Sequence, residues 1–133
     1  MREEEWESLW ADKVNISDEQ GEISSLLEWE QPLEESCEIT HYGNQGLEIV
    51  RAGFGKAYGV RRICAGLGIS MEQVLAIGDN ENDNEMLTQA GIGAAVGNAE
   101  AATKACADLT AGKESGAGAA EIIRRICLEE NEK

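Results

Sequence analysis

The sequence predicts an α/β fold with a parallel sheet, and three observations carry that prediction. Short apolar runs alternate with helix-like patterns along the second half of the chain. The connections between them are short and contain glycine. The run VLAI (74–77) is continuously apolar, as suits a strand buried on both faces. In open sheets of this kind ligands bind beyond the carboxyl ends of the strands. The polar loops that follow the strands are therefore where chemistry is expected.

The elements follow in order. Residues 1–36 carry weak signals: Trp6, Leu9 and Trp10 are spaced like a short helix face, Leu26, Leu27 and Trp29 suggest a second segment, and Pro32 breaks regular structure. CEITHY and LEIV read as two short strands around the turn signal Gly43-Asn44-Gln45-Gly46. After RAGFGK, a helix is expected with Val60, Ile63, Cys64 and Leu67 on one face, ended by Gly66 and Gly68. VLAI is the next strand, and GDNEND follows it as a loop. Asn82 to Gln89 reads as a short helix closed by Gly91. GAAVGN (93–98) is a strand ending in a turn, Ala99 to Cys106 an alanine-rich helix, and ADLT (107–110) a further short strand. The glycine-rich loop AGKESGAG leads to a last helix with Ala119, Ile122, Ile123, Ile126 and Cys127 as its apolar face, and the tail EENEK is expected to fray.

Bulk properties narrow the function classes. The 133 residues suit one domain of ordinary size, and with 5% aromatic residues the core must be built from aliphatic side chains and alanine. The formal net charge of -15 argues against nucleic acid as a partner, because phosphate-backbone binding needs a basic face. The acidity is concentrated at the start: residues 1–48 hold 14 Asp or Glu against Arg2 and Lys13, as in a solvated or disordered arm. Cys37, Cys64, Cys106 and Cys127 form no close pair. The last three fall in helical apolar patterns and read as small core residues in a reducing compartment. A lone His41 does not suggest zinc. No apolar run approaches a membrane span and the first residues are too acidic for a signal peptide, so a cytoplasmic protein with no membrane partner is expected.

The loop after VLAI is the chief candidate site. Asp79 and Asp83 offer hard oxygen ligands four positions apart, suited to Mg²⁺, with Asp79 as the direct ligand and Asp83 acting through water. Asn82 can donate to a phosphate oxygen. A calcium EF-hand is excluded, because Asn84 stands where that loop needs Gly and Ala90 where it needs Glu. A purely structural alternative is that Asn82 or Asp83 caps the following helix. Lys56 stands in the turn Gly53-Phe54-Gly55-Lys56 just before a helix, where it can contact a phosphate, sit beside the aspartates, or be an ordinary surface lysine.

Taken together these stretches resemble a known family. Gly78-Asp79-Asn80-Glu81-Asn82-Asp83-Asn84-Glu85-Met86-Leu87 resembles the fourth motif of the haloacid dehalogenase (HAD) superfamily, and more narrowly its Cof-like, sugar-phosphatase-type branch. LEIVRAGFGKAYGVRRICAGLGI is similar to that branch's third-motif lysine and helix, and AGIGAAVGNAEAATKACADLTAGKESGAGAAEII to its closing segment. The likeness runs over residues 37–128. It implies a partial Rossmann-like core at 51–133, the end of an α+β cap at 37–50, and an acidic segment or cap remnant at 1–36. It also implies Mg²⁺-dependent hydrolysis of a small phosphorylated metabolite through an aspartyl-phosphate. Asp79 would then be a metal ligand, Asp83 would support the metal and orient the lysine, Asn82 would contact the phosphoryl group, and Lys56 would be catalytic and phosphate-binding. Two departures stand out. Gly55-Lys56-Ala57 replaces the family's frequent Ser-Lys-Gly, and the D-x-D motif that supplies the nucleophile and general acid occurs nowhere in the chain. The resemblance places the missing nucleophile strand beside VLAI. The expectation is therefore a chain inactive alone, which self-associates or meets a separate N-terminal half that supplies D-x-D.

Overall fold

A computed structural model describes residues 11–18, 33, 36–42 and 45–128. The chain divides into two compact units, residues 1–55 and 56–133. The helix-like patterns at Trp6–Trp10 and Leu26–Trp29 and the tail at 129–133 lie outside the described residues.

The first unit holds a three-stranded antiparallel sheet of β1 (Lys13–Ser17), β2 (Cys37–Tyr42) and β3 (Gly46–Arg51), with β3 in the middle. β2 and β3 are the CEITHY and LEIV strands expected from the sequence. β1 (KVNIS) is an addition to that reading. Its register on β3 sets Ile16 opposite Leu47, which is buried. A surface ion pair between Lys13 and Glu48 at 2.8 Å joins the same two strands.

The second unit alternates strands and helices. In order it contains α1 (Lys56–Leu67), a 3₁₀ turn at Met71–Gln73, β4 (Leu75–Gly78), a second 3₁₀ turn at Glu81–Asp83, and α2 (Asn84–Gln89). β5 (Ile92–Ala95), α3 (Ala101–Cys106), β6 (Leu109–Thr110) and α4 (Ser115–Ile123) follow, the last continued by a π-helical turn at Arg124–Leu128. The strands form a parallel sheet in the order β4-β5-β6, as the alternation predicts. Parallel pairing places the ends of all three strands on one edge.

Small residues fill the core, as the scarcity of aromatics requires. Ala94, Ala111 and Ile122 form one buried cluster with Leu75, Ile77, Leu109 and Ile126 packed on it. Ala95, Val96 and Ala99 form another. Backbones approach closely where side chains are absent: a Cβ on Gly91 would lie 1.9 Å from the carbonyl oxygen of Glu72.

Several expectations about helix faces are corrected. In α1 only Ala57 and Cys64 are buried, while Ile63 and Leu67 are 63% and 68% exposed. Ile123 of α4 is also exposed, and so are Cys106 and Cys127, which do not serve as core residues. The physical reason is the same in each case. Periodicity marks one side of a helix as apolar, whereas burial depends on which neighbour covers that side.

Candidate active site

Chain direction at the end of β4 builds the site. The 3₁₀ turn at Glu81–Asp83 doubles the backbone back, so that Asp83 returns to the strand end it has just left. Asp83 Oδ2 accepts the N–H groups of Asp79 at 2.9 Å and Asn80 at 3.2 Å. Asp83 Oδ1 accepts from Lys56 Nζ at 2.6 Å. The residue is only 3% exposed. Gly78 makes this fit possible, because a Cβ there would stand 2.5 Å from the Cβ of Asp83.

Lys56, the first residue of α1, also donates to Asn82 Oδ1 at 3.0 Å. Of the three readings the sequence left open for this lysine, its place is beside the aspartates' loop. Its side chain remains 48% exposed, so the cation is shared between Asp83 and the open side of the site. With Asn82 Oδ1 occupied, its N–H₂ group remains to donate, having no partner among the described residues. The capping alternative for Asp83 is set aside, since its side chain makes no cap hydrogen bond to α2 and reaches backward instead.

Asp79 is held by its backbone alone. Its N–H binds Asp83 and its carbonyl accepts from Glu100 N at 2.9 Å, which leaves the carboxylate exposed. No described residue donates to that carboxylate.

Electrostatics fixes the charge of Asp83. Burial pushes the Asp83 carboxyl upward. The hydrogen bond from Lys56, those from the backbone of Asp79 and Asn80, and the field of the Lys56 ammonium outweigh it and hold the group below its ordinary value. Asp83 is therefore an ionised carboxylate whose two oxygens already serve three donors.

No group of three or more Asp, Glu, His or Cys converges among the described residues. The donors present still suit Mg²⁺, which takes one or two protein carboxylates and fills its remaining positions with water and phosphate oxygens. Asp79 supplies a free hard oxygen donor at the strand end. Asp83 is committed elsewhere and would act only through an intervening water.

Neighbouring loops are fastened to the same edge of the sheet by contacts the sequence did not single out. Asn98 Oδ1, after β5, accepts from Ser115 N at 2.7 Å, and Lys104 Nζ donates to Gly97 O at 2.6 Å. Glu121 accepts from the backbone N–H groups of Gly112 and Lys113, after β6. A third fastening joins the helices beside the acidic loop. Arg61 of α1 donates through one guanidinium nitrogen to Gln89 and, at 3.2 Å, to Glu85, and Gln89 donates to Glu85 at 2.7 Å. Its one sequence signal is that Glu85 and Gln89 stand i, i+4 on α2 and so present two acceptors on one face.

These features define a Rossmann-like α/β core with an acidic, lysine-bridged loop at the carboxyl end of its first strand. The chain belongs to the haloacid dehalogenase-like hydrolase family, whose model matches residues 2–123. Among its relatives is a chloroplastic endoribonuclease YBEY of Arabidopsis thaliana, 35% identical over 87% of this chain and 20% of that protein. Another is the Bacillus subtilis 5-amino-6-(5-phospho-D-ribitylamino)uracil phosphatase YcsE, 36% identical over 68% of this chain and 36% of the relative. Among solved structures, the HAD subclass IIB sugar phosphatase BT4131 superposes with a TM-score of 0.76 at 25% identity, over 92% of this chain and 45% of that one. The chain thus spans less than half the length of each of these relatives. No helix among the described residues is long and apolar enough to cross a membrane.

Proposed function

We propose that this chain is the C-terminal part of a Mg²⁺-dependent phosphatase that hydrolyses a small, sugar-phosphate-like metabolite through an aspartyl-phosphate. The observation that carries the reading is the Lys56–Asn82–Asp83 cluster beside a free Asp79 carboxylate, at the strand edge where α/β ligands bind. A phosphoryl group needs positioned cations and N–H donors around its oxygens, and this cluster offers both. Lys56 would stabilise negative charge on the transferring group, Asn82 would donate to a phosphoryl oxygen, and Asp83 would keep the lysine aimed. Asp79 would hold the magnesium ion, which when bound supplies charge neutralisation for the phosphate. Relatives that are phosphatases of phosphorylated small molecules support the substrate class.

In this reading the sheet of the first unit is the remnant of a substrate-choosing cap, and the protein works in the cytoplasm. These 133 residues contain no D-x-D, so in this reading the aspartyl nucleophile is supplied from outside them, by a second copy or an N-terminal half whose strand docks beside β4. A second reading rests on the cluster alone: a non-catalytic module that binds metal and phosphate through Lys56, Asn82 and Asp79 without turnover.

The test is Mg²⁺-dependent hydrolysis of a generic phosphate ester by the purified chain, with Asp79→Asn as control, alongside melting temperatures with and without Mg²⁺. The expected result is no hydrolysis, and a Mg²⁺-dependent rise in melting temperature confined to the wild type. Hydrolysis abolished by Asp79→Asn would overturn the dependence on an aspartate from outside these residues. No response to Mg²⁺ in either protein would overturn the metal site.

A further inference from the structure

We propose that Arg61 is a positioning residue that keeps Lys56 on the acidic loop, an inference that takes the role of Lys56 from the functional reading above. Lys56 is the first residue of its unit, so within that unit its backbone is anchored from one side only, through α1. The helix grips its surroundings weakly by apolar contact. Its buried residues are Ala57 and Cys64, two of the smaller side chains, while the larger Ile63 and Leu67 face outward. Small side chains remove little apolar area from water, so polar contacts carry an unusual share of the attachment.

Arg61 makes polar contacts with two residues of α2. A single guanidinium nitrogen serves both Glu85 and Gln89, and the Gln89–Glu85 bond closes the triangle. α2 begins at Asn84, directly after Asp83. The clamp therefore joins the helix that carries the lysine to the helix that continues from its acceptor. An isolated exposed ion pair is worth little, but a closed three-membered network with a planar, multiply donating group fixes geometry better than a single contact. Lys56 and Asp83 lie 27 positions apart in sequence, and Arg61 with Glu85 sets the spacing of the two segments that bear them.

The test needs no turnover. Lys56 in the whole chain is acylated by an amine reagent under limiting conditions, and each lysine is quantified by peptide mass spectrometry. Lys104, whose ammonium donates to Gly97 O, reports general loosening of the unit. Arg61→Ala is expected to speed Lys56 modification about fivefold relative to Lys104, the scale of a modest local attachment lost. Arg61→Lys should restore part of the protection. If Arg61→Ala does not fold, the pair Glu85→Gln with Gln89→Ala removes the clamp from the other side and should give the same selective rise. Equal acceleration of Lys56 and Lys104, or none, overturns the positioning role. Asp83→Asn distinguishes the two levels. If it frees Lys56 while Arg61→Ala does not, the positioning proposal alone fails. If neither frees it, the Lys56–Asp83 pairing behind the functional reading fails as well.

Discussion

The two units solve the problem of holding a sheet in opposite ways. The antiparallel sheet of the first unit has Leu47 as its buried large side chain among the described residues, and an exposed ion pair reinforces it. The parallel sheet of the second is enclosed by helices and packed with alanine, valine and isoleucine. In the first, strand pairing holds the sheet. In the second, enclosure permits close backbone approach, and close approach lets Asp83 lie against the strand end. Placement of the buried Asp83 carboxylate thus rests on the close backbone approach that Gly78 allows.

Substitutions can break this contrast. The largest effect is expected from Gly78→Ala. Its methyl group would collide with the Asp83 side chain, costing about 3–4 kcal/mol through overpacking and lost hydrogen bonds. Chemical denaturation should report that loss, together with faster exchange of the Asp79 and Asn80 amides. Ile122→Ala should cost about 3 kcal/mol by opening a cavity in the alanine-rich core. Leu47→Ala should cost about 2 kcal/mol in the first unit and leave amide protection at Asp79 and Asn80 unchanged. If it loosens that loop, the two units do not act separately. Lys13→Ala should cost less than about 0.5 kcal/mol, since its ion pair is on the surface.

Acid sharpens the comparison further. The folded pKa of Asp83 lies below its unfolded value, so the folded state binds fewer protons in that window. The contribution of Asp83 is fully present above the ordinary carboxylate value, about 4, and is lost as pH falls through the folded value. Wild type should therefore lose stability more steeply than Asp83→Asn below that pH. Parallel curves would mean that the carboxylate is not held as its contacts imply.

Much of the second unit was legible because its signals are local. Continuous apolar runs, glycine-marked ends and i, i+3, i+4 spacing each belong to one segment, and β4 to β6 follow them with shifts of one or two residues, while α4 begins at Ser115, four residues inside the expected loop. The acidic loop was legible for the same reason. What escaped depends on distant partners. β1 is a strand because β3 pairs with it, and KVNIS alone says little. Ile63, Leu67 and Cys127 satisfy the periodicity of a buried face, yet no described neighbour covers them enough to bury them. Arg61 carries no local signal of its own, because its partners Glu85 and Gln89 come from α2, more than twenty residues away.

The missing methyl group at Gly78 has a consequence at the level of the gene. Every single-base change in a glycine codon that alters the residue adds at least a Cβ, and at this position any Cβ meets Asp83. The codon therefore has no conservative amino-acid neighbour. Drift that keeps the site must proceed through synonymous changes at this codon, or through paired changes that move Asp83 at the same time.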